Sequence, residues 1–394
     1  MSTRPMSLSR RAVCAAPLIG AGLSLAGLAQ AKKPAFEVIF DFPAGEAPTI
    51  RPTNSTDGHR TMNRLNIITA SRGWRLNYNT GFSNSNYAYD VHSPTFSHMT
   101  LLQGAEGGGF WPKGYGTETA GGKHGSGSIF WWYQSNRHFI HDLYTFDPDG
   151  QAGLHPMGGV IEGFDGAMYG TTHDGGNEGL GTIFRVTPQG ELSVLHHFSG
   201  INREGFRPTQ GLTRGADGNY YGATETGGAL YVGSLYRMTP DGTLTTLFSF
   251  DFDRSGMGPH GALTLSPDGM LYGLTGFGGK YGGGTLFSLS HEGEFQRLHS
   301  FAPADGTRPM GELYALPDGT LYGTCSADGD GGRGTVFKFH PGHRKLVVRH
   351  HFAADGSEGG APMAGFELAS NGYLYSTARD GGAHGGGTLF RIAP

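Results

Sequence analysis

The stretch Gly153–Phe198 reads GLHPMGGVIEGFDGAMYGTTHDGGNEGLGTIFRVTPQGELSVLHHF, and the chain beyond it repeats the same pattern. Its Tyr169 aligns with Tyr221, Tyr272, Tyr322 and Tyr375, and with Tyr115 in an earlier, weaker copy, a period of 50 to 54 residues. Fifteen residues after each of these tyrosines stands an aromatic that closes a Gly-(Thr/Ser)-x-aromatic tag: Phe130, Phe184, Tyr236, Phe287, Phe337 and Phe390. A fixed period of this length belongs to stacked or radial repeats.

Within one copy, three turn signals separate four short β-prone segments. Asp165-Gly166 precedes AMYGTT, a Gly-rich loop (THDGGNEGLG) joins it to GTIFRV, and Pro188-Gln-Gly190 leads into ELSVLHHF. With MGGVIE as the first segment, the strands a, b, c and d make one four-stranded blade of a β-propeller. The last copy stops at GTLFRIAP, after its strand c. The missing strand d would carry the tag seen at Leu195–Phe198 and Leu298–Phe301, and that tag opens the chain as Ile39–Phe42. The N-terminal strand is therefore expected to complete the last blade and close the ring, leaving no open sheet edge. The fold expected is all-β: a closed propeller with six readable blades in one domain, residues 32–394. Residues 43–93 are either a degenerate seventh blade or an insertion over a six-bladed ring. Pro52, ten residues after Phe42 where regular copies also carry Pro, favours the seventh blade.

The tags YGTT, GG and GT-x-F at this spacing resemble the GloVer tandem-repeat family of exported bacterial proteins, over roughly residues 94–394. The resemblance implies a propeller-like repeat architecture in an extracytoplasmic protein. It brings no reaction, cofactor or catalytic residue with it.

Residues 1–31 read as an export signal: Ser9-Arg10-Arg11, an apolar run from Ala12 to Leu28, and Ala29-Gln30-Ala31 as a small-x-small cleavage site. The paired arginines suggest the twin-arginine route, and the mature chain is expected in the periplasm or at the cell surface. Loss of Arg4, Arg10 and Arg11 with no acidic residue takes the formal net charge from −4 to about −7, which argues against nucleic acid as a partner. No other stretch is apolar enough to span a bilayer. Cys14 leaves with the signal, so Cys325 has no disulfide partner within the chain and reads as a packed core thiol. A ring closed by its own terminus needs no partner subunit, and a monomer is expected.

In a propeller the b–c and d–a loops share one face, around the mouth of the central channel. Here the b–c loops keep their length and vary in sequence, which is how repeat folds display a site. Asp174, Tyr281, Arg203, Arg308 and Arg379 on these loops are candidates for binding a polar ligand. A second candidate surface is the aromatic cluster with Trp111, Trp131 and Trp132, whose flat amphipathic rings suit sugar faces. The adjacent histidines His196-His197 and His350-His351 read as solvated positions on the outer strand, pointing to opposite faces. Asp328 and Asp330 in DGDGG are a fragment of a calcium-loop pattern without its later carboxylate, so calcium is the one ion the sequence hints at. No GxSxG or HExxH motif is present. The leading expectation is a scaffold that binds a glycan, polymer or protein. The alternative is a hydrolase or lyase acting on a carbohydrate or lactone, with a divalent ion at the channel mouth and a His as base. His173, Glu225, Asp328 and His384 are its candidate catalytic residues.

Overall fold

Each repeat folds as one antiparallel sheet because its Tyr-Gly and Gly-Thr-x-aromatic tags face each other across strands b and c. In the computed structural model Ile161–Glu162, Met168–Thr172, Thr182–Val186 and Leu192–His197 pair in that order, as strands a to d. Gly170 opposes Phe184. A Cβ on Gly170 would lie 2.5 Å from the Phe184 ring, and one on Gly323 2.4 Å from the Phe337 ring. The glycine is thus the space into which the aromatic of strand c lies. Only the last repeat replaces it among these copies, with Ser376 opposite Phe390. The tyrosine before the glycine is buried and its hydroxyl donates to the aspartate of the Asp-Gly turn, at 2.7 Å for both Tyr221–Asp217 and Tyr272–Asp268. The turn residue and the strand residue are therefore parts of one device.

The structure describes residues 35–42 and 44, the strand backbones between 53 and 100, and residues 113–133 and 140–394 apart from 202, 209 and 370. Side chains between 53 and 114 and between 132 and 140 lie outside that description, as do residues 1–34 with the expected export signal. Among the described residues there is no α-helix, and seven sheets of four or five strands follow one another along the chain, with a two-stranded sheet of Gly205–Phe206 and Thr226–Gly227 beside the fourth. The first comprises Thr53–Thr56, Asn63–Ile68, Trp74–Asn79 and Tyr87–Asp90, so the irregular region holds a four-stranded antiparallel sheet of its own. The second runs from Phe96–Thr100 to Ile140–Thr145, and the third is the template above. The fourth spans Thr213–Arg214 to Leu244–Ser249, the fifth Met257–Leu265 to Phe295–Ser300 and the sixth Tyr314–Ala315 to Lys345–His351. In the seventh, Phe36–Asp41 pairs with Thr388–Ile392 beside Leu374–Asp380.

The N-terminal strand takes the place of strand d down to single hydrogen bonds. In the other sheets the N–H of the phenylalanine after strand d donates to the glycine that ends the b–c loop: Phe198 to Gly181 at 3.0 Å, Phe301 to Gly284 at 2.9 Å. Phe42 donates to Gly387 at 2.9 Å in the same way. The residue before it also keeps its role, since Asp41 caps Ala383 N–H at 2.8 Å where His197 caps Asn177 and His351 caps Asp330. Arg391 binds Glu37 at 2.6 Å, and Phe36 stacks on His350 of the sixth sheet at 3.6 Å.

Successive sheets are joined through their inner strands. The threonine of YGT reaches the next sheet: Thr171 donates to Gln210 O at 2.9 Å and Thr324 to Ala364 O at 3.3 Å. The glycines after the recurring proline permit backbone against backbone, for a Cβ on Gly311 would sit 2.6 Å from Ala364 O. Between strands b and c a buried hydroxyl pair recurs, Thr172–Thr182 at 2.8 Å and Thr275–Thr285 at 2.9 Å. Cys325 fills that place opposite Thr335, fully buried, and burial pushes its thiol pKa up, which keeps it a packed, protonated thiol.

Candidate functional site

The loop face is assembled by one repeated and strained connection. The residue before the recurring proline is left-handed in each regular copy: His155 (φ 54°), Arg207 (57°), Arg308 (54°) and Ala361 (48°), with Gly258 (61°) in the fifth sheet. Non-glycine residues rarely adopt this conformation and need outside support to hold it. That support is a pair of backbone hydrogen bonds. The N–H donates to the b–c loop of the preceding sheet, His155 to Ser126 O at 3.0 Å and Arg207 to Leu180 O at 2.9 Å. The C=O accepts from the residue four after the repeat tyrosine, His155 from His173 N at 3.1 Å and Arg207 from Glu225 N at 3.2 Å. Further out, the d–a and b–c loops of one sheet are also bonded, as Gly176 N to Gly150 O at 2.7 Å. The same pair of bonds recurs at Arg308, whose N–H donates to Gly283 O and whose C=O accepts from Ser326 N, both at 3.0 Å, while the side chains differ.

In the third and fourth sheets those side chains converge. His155 Nδ1 and His173 Nδ1 both lie 3.0 Å from Asp174 Oδ2. The guanidinium Nε of Arg207 stands 3.8 Å from the other oxygen of the same carboxylate. His173 Nε2 faces Glu225 Oε2 at 3.9 Å, an ion-pair separation longer than a hydrogen bond. In the next sheet Gly276 occupies the position of His173 and Glu225, and the imidazole of His260 lies over it: a Cβ there would meet His260 Cδ2 at 2.8 Å.

The electrostatics follow from these neighbours. The Glu225 carboxylate first, and Asp174 second, raise the pKa of His173 against the opposing effect of burial. Burial lowers that of His260, which Glu225 offsets only in part. Burial would raise Asp174, but hydrogen bonds from His173 and His155 outweigh it and hold the carboxyl below its usual range. Glu225 is likewise held low, chiefly by His173, with His260 and Arg207 adding to the effect. Two imidazoles that share Glu225 as an anionic neighbour thus have pKa values pushed apart.

Of the residues expected from sequence, His173, Asp174 and Glu225 are brought together. The others are not. Asp328 accepts from the Thr307 hydroxyl, while exposed Asp330 lies 3.7 Å from His351, so the two carboxylates of DGDGG serve different partners. His384, Arg203, Arg308 and Tyr281 are exposed on separate loops, Tyr281 beneath Lys280 and Arg308 over Phe277. Arg379 forks onto its neighbour Asp380 at 3.0 and 3.2 Å. Trp131 is partly buried and stacks on His141 at 4.4 Å; Trp111 and the side chain of Trp132 lie outside the described residues. The paired histidines are not the solvated positions expected. His196 bonds Glu204, His350 bonds Glu358 at 2.9 Å and His299 bonds Asp305 at 3.0 Å, each tying strand d to the following loop. Among the described residues no three His, Cys, Asp or Glu side chains converge as a metal site. No helix there is long and apolar enough to cross a membrane.

His155, Arg207 and His260 were not singled out from the sequence. The signal was present in the prolines Pro156, Pro208 and Pro259, which recur in register with the repeat; His155 and Arg207 precede theirs and His260 follows its own.

Fold and site together define an all-β repeat protein, propeller-like, with a charged constellation on its loop face. The chain belongs to the Gloeobacter/Verrucomicrobia repeat family, whose signature matches residues 102–330. Among solved structures it is similar to a catalytically inactive variant of virginiamycin B lyase from Staphylococcus aureus with quinupristin. There the identity is 15%, the TM-score 0.62, and the match covers 91% of this chain and 99% of that one. A candidate 6-phosphogluconolactonase from Bacteroides uniformis matches at 15% identity and a TM-score of 0.49, over 85% of this chain and 90% of that one. At these identities the likeness is one of fold. No curated protein matches the chain.

Proposed function

We propose that this is an exported seven-bladed propeller, closed by its N-terminal strand, that binds a glycan at the mouth of its loop face. Four observations support the ring. The first strand and the last sheet are one sheet. Thr53–Thr56 lies beside Glu367–Leu368. Thr264 on the fifth inner strand bonds Leu313 O on the sixth at 2.9 Å. Residues of four successive inner strands, among them Ile161, Thr213, Leu263 and Tyr314, line a common cavity of about 340 Å³.

The observation that carries the binding reading is the group His155, His173, Asp174, Arg207 and Glu225. Its members are partly exposed, and the sheets do not need them to pair. Sugar hydroxyls both donate and accept, so an alternating set of carboxylates and cationic donors matches them better than a surface of one sign. Exposed rings nearby in the repeat order, Tyr231, Phe252 and Tyr281, offer apolar faces for the remainder of such a ligand. The test is a glycan screen followed by calorimetric titration with Glu225→Gln and His173→Gln. Loss of one charge-assisted hydrogen bond is expected to weaken binding about 10- to 100-fold. Unchanged affinity in both variants refutes the site. Export is checked by N-terminal sequencing of the mature protein, expected to begin at Lys32.

A further inference from the structure

We propose that the same mouth hydrolyses an ester or lactone of a sugar acid, with His260 as general base, His173 as general acid and Glu225 between them. The inference rests on the binding reading above and adds chemistry to it. His173, Glu225 and Gly276 are equivalent residues of three successive sheets, four after Tyr169, Tyr221 and Tyr272. The third has no side chain, and its space is taken by the His260 ring, whose Nε2 would stand 3.3 Å from a Cβ placed there. The result sets an imidazole, a carboxylate and an imidazole at equivalent places of three neighbouring sheets, with the Glu225 charge acting on both rings. His173 is oriented by Asp174 through Nδ1, which leaves Nε2 facing Glu225 at 3.9 Å, so that a substrate oxygen bonded to both atoms sits to one side of the line between them. His260 has no hydrogen-bond partner among the described residues, so its ring is free to take a proton.

The step balances without any further reagent. The free imidazole nitrogen of His260 takes a proton from water as the water oxygen bonds to the acyl carbon. The tetrahedral intermediate collapses, the acyl C–O bond breaks, and the departing alkoxide oxygen receives the proton on His173 Nε2. Acid and alcohol leave, and the proton now on His260 returns to His173 through solvent. Glu225 faces the cation in both states, and Arg207 beside Asp174 presents a guanidinium to the substrate carbonyl. The opposite displacement of the two histidines suits these roles, since His173 keeps its proton and His260 gives its proton up at the same pH. The charged groups facing the pair are His155, Asp174, Arg207 and Glu225. Asp174 is a positioning residue.

The test follows acid release from glucono-δ-lactone and p-nitrophenyl acetate by the purified protein, with gluconate binding measured by calorimetry. The expected result is turnover with a bell-shaped pH profile of kcat/KM. His260→Gln should lower kcat about 100-fold or more while KM stays within about threefold. Glu225→Gln, at a partly exposed side chain, gives a second variant in which folding is not at stake and should lower kcat about tenfold. Asp174→Asn should move the high-pH limb to lower pH, which a purely structural role would not do. Gluconate binding with a wild-type rate no greater than that of the His173→Gln/His260→Gln double variant overturns the inference and leaves the binding site standing. Absence of both binding and turnover overturns both.

Discussion

Replacing Phe42 by alanine tests whether the first strand is an integral part of the last sheet. Phe42 is only 3% exposed and packs among Tyr375, Leu389, Tyr373 and Ala369, with Ile39 and Phe40 alongside. Removing a buried phenylalanine ring costs about 3–5 kcal/mol, the sum of lost transfer energy and the cavity left behind. Unfolding entropy of about 2.1 cal/mol/K per residue over roughly 360 residues makes 1 kcal/mol worth about 1.3 °C, so Tm should fall by about 4–7 °C. The control is Phe198→Ala, at the same place in a sheet whose four strands are continuous in sequence; Phe198 is 1% exposed and donates the matching backbone bond. Differential scanning calorimetry of the two variants should give shifts equal within about 2 °C. A silent Phe42→Ala beside a destabilised Phe198→Ala would refute the reasoning, because the terminal strand would then add nothing to the cooperative unit.

Four further outcomes follow. Gly323→Ala places a methyl 2.4 Å from the Phe337 ring and 3.0 Å from Leu313, and should cost about 1–3 kcal/mol in urea unfolding. Cys325, fully buried with its pKa raised by burial, should react with a disulfide reagent only after unfolding, and Cys325→Thr should restore the hydroxyl pair at little cost in stability. Glu204, Asp165 and Asp217 have folded pKa values below their unfolded ones. Their stabilisation is therefore complete above the unfolded carboxylate range and lost as pH falls through the folded values, so Tm measured against pH should drop below about pH 4. His350 and His260 are also lowered, so their share is complete above about pH 6.5 and starts to be lost as pH falls below it.

The repeat was legible because its signals are local. An Asp-Gly turn, a Tyr-Gly pair and a Gly-Thr-x-aromatic tag each fix backbone within a few residues, and their spacing fixes the sheet. The fate of Phe36–Asp41 was legible for the same reason, since strand d carries a recognisable Ile/Leu-x-x-Phe tag. The site was legible only in part. His173, Asp174 and Glu225 stand on loops that any propeller turns to one face. Their partners His155 and Arg207 are the left-handed residues before proline in the d–a connections, and His260 follows the proline on the fifth inner strand, after left-handed Gly258; residue type alone does not announce such positions. Spacing likewise could not show that Asp328 and Asp330 would turn to Thr307 and His351. Nor could it show that His196 and His350 would find carboxylates eight residues on, because those pairings arise where strand d bends into the next loop.

The most direct test of the site is an NMR titration of His173 and His260 in the wild-type protein and in Glu225→Gln. A single coupled constellation requires His173 to titrate above pH 6.5 and His260 below it, with the substitution lowering His173 because its strongest anionic partner is gone. Two histidines titrating near pH 6.5, both indifferent to Glu225→Gln, would contradict the account and leave the mouth a set of unrelated solvated loops.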